Sequence, residues 1–168
     1  MGFSYSGDND PIMCFNAPKN WQLGWYDDRQ RIVNTGWEGN VYGITDYIRT
    51  NIGDTILIQI PGSIDWYVSF NRKTGINIGT VEGGDQVMVH KRPQGVGYGE
   101  SDLMAKLNEL DSYNGAPLAI TVNTINLSAD PAFAHVTIGT PETPMPTEMP
   151  TSISEKWRIL VSKDTVFR

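Results

Sequence analysis

The sequence predicts a mainly β protein, an antiparallel β-sandwich or jelly-roll-like domain preceded by one short α-helix. Short runs rich in β-branched and aromatic residues recur along the chain, as at 55–60 and 118–125. Its 17 glycines and 10 prolines fall largely between such runs, where they make turns. A capped helical pattern stands near the start, at 16–25.

Taken in order, residues 1–15 predict a loop, dense in the turn formers Gly7, Asp8, Asn9, Asp10 and Pro11. Asp8 and Asp10 alternate as calcium-binding oxygens do, but no glycine and closing glutamate follow, so a solvated turn is the better reading. Asn16 then suits a helix N-cap, and Pro18 falls in the first turn, where a missing N–H costs little. Ala17, Trp21, Gly24 and Trp25 share one helical face, which predicts both indoles docked on a core. Each buried indole would stabilise by about 2–3 kcal/mol. Gly24 would admit a neighbouring backbone. Asp27 and Asp28 oppose the helix dipole at its C-terminus and predict the exit turn.

Strands follow at 39–44 and at 55–60, the latter ending at Pro61, with a turn at 51–54 between them. Residues 65–71 are the expected partner of 55–60, and Lys73-Thr74-Gly75 closes that unit with a turn. Residues 86–90 form a short strand whose faces the sequence leaves unassigned, and 93–99 a glycine-rich loop. Residues 133–138 predict a strand with Phe133, His135 and Thr137 on one face and Ala134, Val136 and Ile138 on the other. The Pro/Thr-rich stretch 140–152 is an extended linker, and Trp157, Ile159 and Val161 alternate in a terminal strand or tail at 153–168.

The formal charge of −6 argues against nucleic acid and against anionic membrane surfaces, which select clustered Lys and Arg. No apolar run approaches the length of a membrane span. The polar start is unlike a signal peptide. Met1 to Ser6 matches the loose myristoylation pattern, but no basic patch supplies a second membrane signal. Cys14 has no second cysteine to pair with and reads best as a small buried hydrophobe, with a partner outside the chain as the alternative.

The letters say more than the pattern. Met1-Gly2-Phe3-Ser4-Tyr5-Ser6, then Met13-Cys14-Phe15-Asn16 and Trp21-Gln22-Leu23-Gly24-Trp25-Tyr26, resemble the gametolysin-type zinc metallopeptidases, which are secreted metzincins. The resemblance is strong over 1–28 and continues more weakly to residue 139. It implies that 1–28 hold the Met-turn and last helix of an incomplete catalytic domain, and 29–139 a β-rich C-terminal domain. Met1 would be the Met-turn methionine, an apolar floor beneath the metal. Residues 3–12, Phe3 and Tyr5 among them, would wall the substrate pocket. Some metzincins carry a tyrosine two residues after that methionine; here Phe3 has no oxygen to offer, and Tyr5 is a remote substitute. The resemblance further implies zinc in the full-length family, an upstream catalytic half, an extracellular or cell-wall glycoprotein as substrate, and secretion. Asn126-Leu127-Ser128 is then a usable glycosylation sequon. Residues 102–113 fit helical spacing at Leu103, Met104, Leu107 and Leu110. The related peptidases have a strand there, which is preferred, closed by a turn at 112–115.

A metzincin needs three imidazoles on zinc and a glutamate as general base. This chain has only His90 and His135, with no H-E-x-x-H between or around them, and both are expected as exposed strand residues. No catalytic residue, metal ligand or cofactor site is therefore assigned within the chain, which is expected to be inactive alone. Nucleophile and phosphate-loop motifs are missing from the letters, and Gly95-x-Gly97-x-Gly99 reads as a flexible loop. The alternative function is a non-catalytic β-sandwich module that binds glycan or matrix protein. Trp66, Tyr67 and Trp37 are its candidate aromatic platform, although core residues or scattered surface aromatics are the preferred reading of them. A third reading is assembly through an unpaired sheet edge.

Overall fold

A computed structural model describes residues 13–93 and 100–141. The chain runs from helix α1 (Ala17–Gln22) through strands β1 (Gln30–Ile32), β2 (Trp37–Tyr42), β3 (Leu57–Ile60) and β4 (Ile64–Asn71). It continues through β5 (Gln86–Pro93), β6 (Asp102–Leu107), β7 (Ser112–Gly115), β8 (Leu118–Asn126) and β9 (Phe133–Gly139). Short 3-10 turns lie at Asp27–Arg29, Ile44–Arg49 and Gly75–Asn77.

The strands form two sheets, a five-stranded one ordered β1-β3-β4-β5-β6 and a four-stranded one ordered β2-β9-β8-β7. All neighbours pair antiparallel except β1 with β3. The inner faces share one apolar core. Ile58, Trp66, Val68, Phe70, Val87 and Val89 from the larger sheet meet Val41, Leu118, Ile120, Val122, Ala134, Val136 and Ile138 from the smaller. The architecture is the expected sandwich. The alternation of 133–138 is as predicted, with Ala134, Val136 and Ile138 fully buried. The pairing of β3 with β4 is as predicted too, Leu57 facing Ser69 and Ile60 facing Trp66.

A second, smaller cluster lies on the outer face of the five-stranded sheet. Ala17, Ile44, Ile56, Leu57 and Tyr67 form it, with Cys14, Trp21, Tyr26, Tyr42 and Tyr47 packed against it. Residues 13–29 and the turn Ile44–Arg49 thus form a partial third layer. Asn16 caps α1 as its sequence implies, its Oδ1 accepting from the Lys19 N–H at 3.2 Å. Trp21 meets Tyr67 edge-on, with ring centroids 6.0 Å apart.

Three expectations change, and one alternative, the aromatic platform, falls. The helix stops at Gln22, because Gly24 takes φ +66, the left-handed conformation that ends helices. No backbone closes on Gly24, which has nothing within 4 Å of a built Cβ. Trp25 therefore leaves the helical face, remains 48% exposed and rests against Phe15. Residues 112–115 are not the closing turn but strand β7, paired with β8; residues 102–107 are the strand preferred above. Trp66 and Tyr67 are both buried on opposite faces of β4, since neighbouring strand residues diverge, so they form no platform with Trp37, which packs against the core. His90 is buried rather than exposed, because α1 and its flanks cover its side of the sheet. Residues 1–12, with Met1, Phe3, Tyr5, Asp8 and Asp10, lie outside the described residues, as do Gly95, Gly97, Gly99 and the stretch 142–168.

Trp66 is 6% exposed and touches Tyr113 of the opposite sheet at 5.7 Å between ring centroids. Trp66→Ala should destabilise the fold by about 3–5 kcal/mol through cavity formation. The urea unfolding midpoint measures this, and an unchanged midpoint would contradict the core assignment.

Candidate functional site

The two sheets carry two very different polar surfaces. The first is covered. On the outer face of the five-stranded sheet, β4 presents Asp65, Tyr67 and Ser69, and β5 presents Met88, His90 and Arg92. Gln59 Nε2 donates to the Tyr67 hydroxyl at 3.2 Å, and Arg92 hydrogen-bonds the same phenol. Burial raises the Tyr67 pKa, and the Arg92 hydrogen bond partly opposes it. The segment above is tied down by amides. The Cys14 N–H donates to Asn77 Oδ1 at 2.8 Å, and Asn77 Nδ2 donates to Asn71 Oδ1 at 2.9 Å. Asn16 Nδ2 reaches Ser101 Oγ at 3.1 Å. Fully buried Asn20 donates to the Phe15 carbonyl at 2.7 Å.

The chemistry of this layer is inert near neutral pH. Burial pushes the Cys14 thiol up, against a smaller lowering by its hydrogen bond with Tyr26. Tyr26 is itself pushed up to about 12, by burial first and then by Cys14. Cys14 is thus a protonated thiol in a half-buried apolar setting, unsuited to nucleophilic attack. His90 is lowered to about 4 by burial, so its imidazole is neutral at neutral pH.

The second surface is open. The outer face of the four-stranded sheet is laid out by register. Glu38, Thr137, Thr121 and Ser112 form one row across β2, β9, β8 and β7. Asn40 and His135 form the next row, and Tyr42 and Phe133 the row after it. A bulge between Val122 and Thr124 interrupts β8 at Asn123. Asn123 Nδ2 donates to Thr137 Oγ1 at 2.8 Å and lies 3.1 Å from His135 Nδ1. With Nδ1 accepting from that amide, Nε2 carries the ring hydrogen and points to Glu38 Oε1 at 3.5 Å. Ser112 and Thr121 pair their hydroxyls at 3.0 Å. This face bounds an open trough of about 500 Å³ lined by Asn114, Ala119, Thr121, Thr137, Gly139, Thr140 and Pro141.

The zinc implied by the resemblance does not fit the two histidines. His90 lies on the outer face of one sheet and His135 on the outer face of the other, so the sandwich separates them. Among the described residues, no group of three or more His, Cys, Asp or Glu is placed to hold a metal ion. Asn126 ends β8, and its Oδ1 accepts from the Ser128 N–H at 3.1 Å, the Ser128 hydroxyl at 2.9 Å and the Ala129 N–H at 3.0 Å. Met1, Phe3 and Tyr5 fall outside the described residues. The Glu38–His135–Asn123–Thr137 constellation was not visible in the sequence. The alternation of 133–138 put His135 and Thr137 together, but Asn123 joins them only through cross-strand register and a bulge. No protein-family model, curated protein or solved structure matches the chain.

His90 makes a pH-dependent contribution whose sign follows from its lowered pKa. Above pH 6.5 the imidazole is neutral both folded and unfolded, and the fold keeps its full stability. Between pH 6.5 and about 4 the unfolded chain takes up the proton and the folded chain does not. Stability should therefore fall across that window by up to about 3 kcal/mol. His90→Gln, which cannot take up that proton, should lose less stability between pH 7 and about 4.5 in paired urea titrations. Equal losses in the two proteins would refute the assignment.

Proposed function

We propose that the chain is the C-terminal, β-rich part of a gametolysin-like zinc metallopeptidase acting on extracellular or cell-wall glycoproteins. The observation that carries this reading is the resemblance over residues 1–28, of which the structure describes Met13 to Asp28. Its helix is capped by Asn16, and Trp21 is seated on Tyr67 of the sandwich. In this reading the sandwich is a platform that positions the segment following the Met-turn. Leu57 and Tyr67 supply the apolar floor, and the amides of Asn71 and Asn77 anchor the backbone at Cys14. The zinc ligands and the general base belong to an upstream half. Zinc would there activate the attacking water, and this chain supplies support rather than chemistry.

The 168 residues purified alone should show no chelator-sensitive cleavage of a glycoprotein substrate. The coding sequence upstream of Met1 should carry an in-frame H-E-x-x-H, and the lengthened protein should bind zinc and cleave in a chelator-sensitive way. Protease activity in the short chain, or an upstream region that encodes no such motif, would overturn the reading.

A second reading, a non-catalytic module for glycan or matrix protein, is favoured by the open polar face of the four-stranded sheet. Trp66 and Tyr67 cannot serve it, being buried.

A further inference from the structure

We propose that the outer face of the four-stranded sheet binds an internal stretch of a neutral linear polysaccharide. The inference deepens the second reading above, the glycan-binding module, and rests on it; it stands or falls apart from the peptidase reading.

The lining of the trough selects the ligand class. Thr121, Thr137 and Thr140 offer hydroxyls, and Asn114 an amide. These groups donate and accept, as sugar hydroxyls do. Among the described residues, no charged side chain lines the trough, so these residues give neither an anionic nor a cationic ligand a counter-charge in it. Ala119 and Gly139 sit side by side on β8 and β9, and their small size lowers the floor where a sugar ring would lie. The site is centred on the middle strands β8 and β9, with Asn114 of the edge strand β7 at its border, and it presents side chains rather than the free N–H and C=O groups that a peptide strand would seek.

The polar groups are also held in place before any ligand arrives. Asn123, set at the β8 bulge, fixes the Thr137 hydroxyl at 2.8 Å and the His135 ring at 3.1 Å. Thr121 is fixed by Ser112 at 3.0 Å. Side chains already ordered lose little freedom on binding. At the far end of β9, Phe133 stands on the same face as Thr137, its ring edge-to-face with Tyr42 at 6.0 Å between centroids. An aromatic ring there offers a stacking surface for the apolar side of a pyranose. Strand β9, Phe133–Gly139, spans about 20 Å. That length takes several sugar units, which fits an internal stretch of a chain.

The test is a titration of the isotope-labelled full chain, followed by amide NMR, with cellohexaose, xylohexaose, mannohexaose and the acidic hexagalacturonate. At least one neutral hexasaccharide should move the amides of 119–123 and 133–139, saturating below about 10 mM. Hexagalacturonate should not. Asn123→Ala should weaken the neutral ligand about tenfold. Thr121→Val, outside the Asn123 hydrogen bonds, serves as a second variant should Asn123→Ala disturb the bulge, and it should also weaken binding. The proposal is overturned if no neutral hexasaccharide binds, if the shifts map elsewhere, if the acidic one binds better, or if Thr121→Val leaves affinity unchanged in a folded protein.

Discussion

Strand β4 must be covered on both sides. From Asp65 to Phe70 every residue is buried, so the alternation of the strand sends Trp66, Val68 and Phe70 into the core and Asp65, Tyr67 and Ser69 to the opposite face. A one-residue slip against β3 or β5 would exchange an apolar set for a polar one on each face. The four-stranded sheet covers one side. The segment 13–29 and the turn Ile44–Arg49 cover part of the other, with Ala17, Ile44 and Ile56 meeting Leu57 and Tyr67. The third layer exists because a central strand of this sheet is not left half-wet.

That outer layer is polar, and this shapes its chemistry. Asp65, Tyr67 and His90 lie on the sheet below, Asn20 lies within the covering segment 13–29 and Asn77 in the 3-10 turn Gly75–Asn77, and all five are buried. Buried polar groups need partners. The amides of Asn16, Asn20, Asn71 and Asn77 tie loop to loop by hydrogen bonds of 2.7 to 3.1 Å. Burial is the common cause of the shifts there: the phenols of Tyr26 and Tyr67 and the Cys14 thiol are raised and the His90 imidazole is lowered. The layer holds the segment 13–29 against the sheet.

The four-stranded sheet solves the opposite problem. It buries only one face, and its alternating strands place Val122, Ala134, Val136 and Ile138 inward and Thr121, His135 and Thr137 outward. The outward groups are organised among themselves by Asn123 and Ser112. One sandwich thus has a closed polar face that anchors a neighbouring segment and an open polar face whose side chains pair with one another.

Much of this fold was legible locally. The cap at Asn16, the antiparallel pairing of 55–60 with 65–71 and the two faces of 133–138 all follow from residue type and period, which fix how the backbone runs and which side chains share a face. The open site was half legible: β9 announced that His135 and Thr137 stand together, but nothing local announced Asn123 or Glu38. The errors have one origin. Residue type points to an exposed His90, a buried Trp25 and a turn at 112–115, and the structure differs at each because covering, docking and pairing are contributed by segments distant in sequence. Sequence alone determined the strands and their alternation. Tertiary structure decided which face each strand turns to water, because burial belongs to what lies opposite and not to the strand itself.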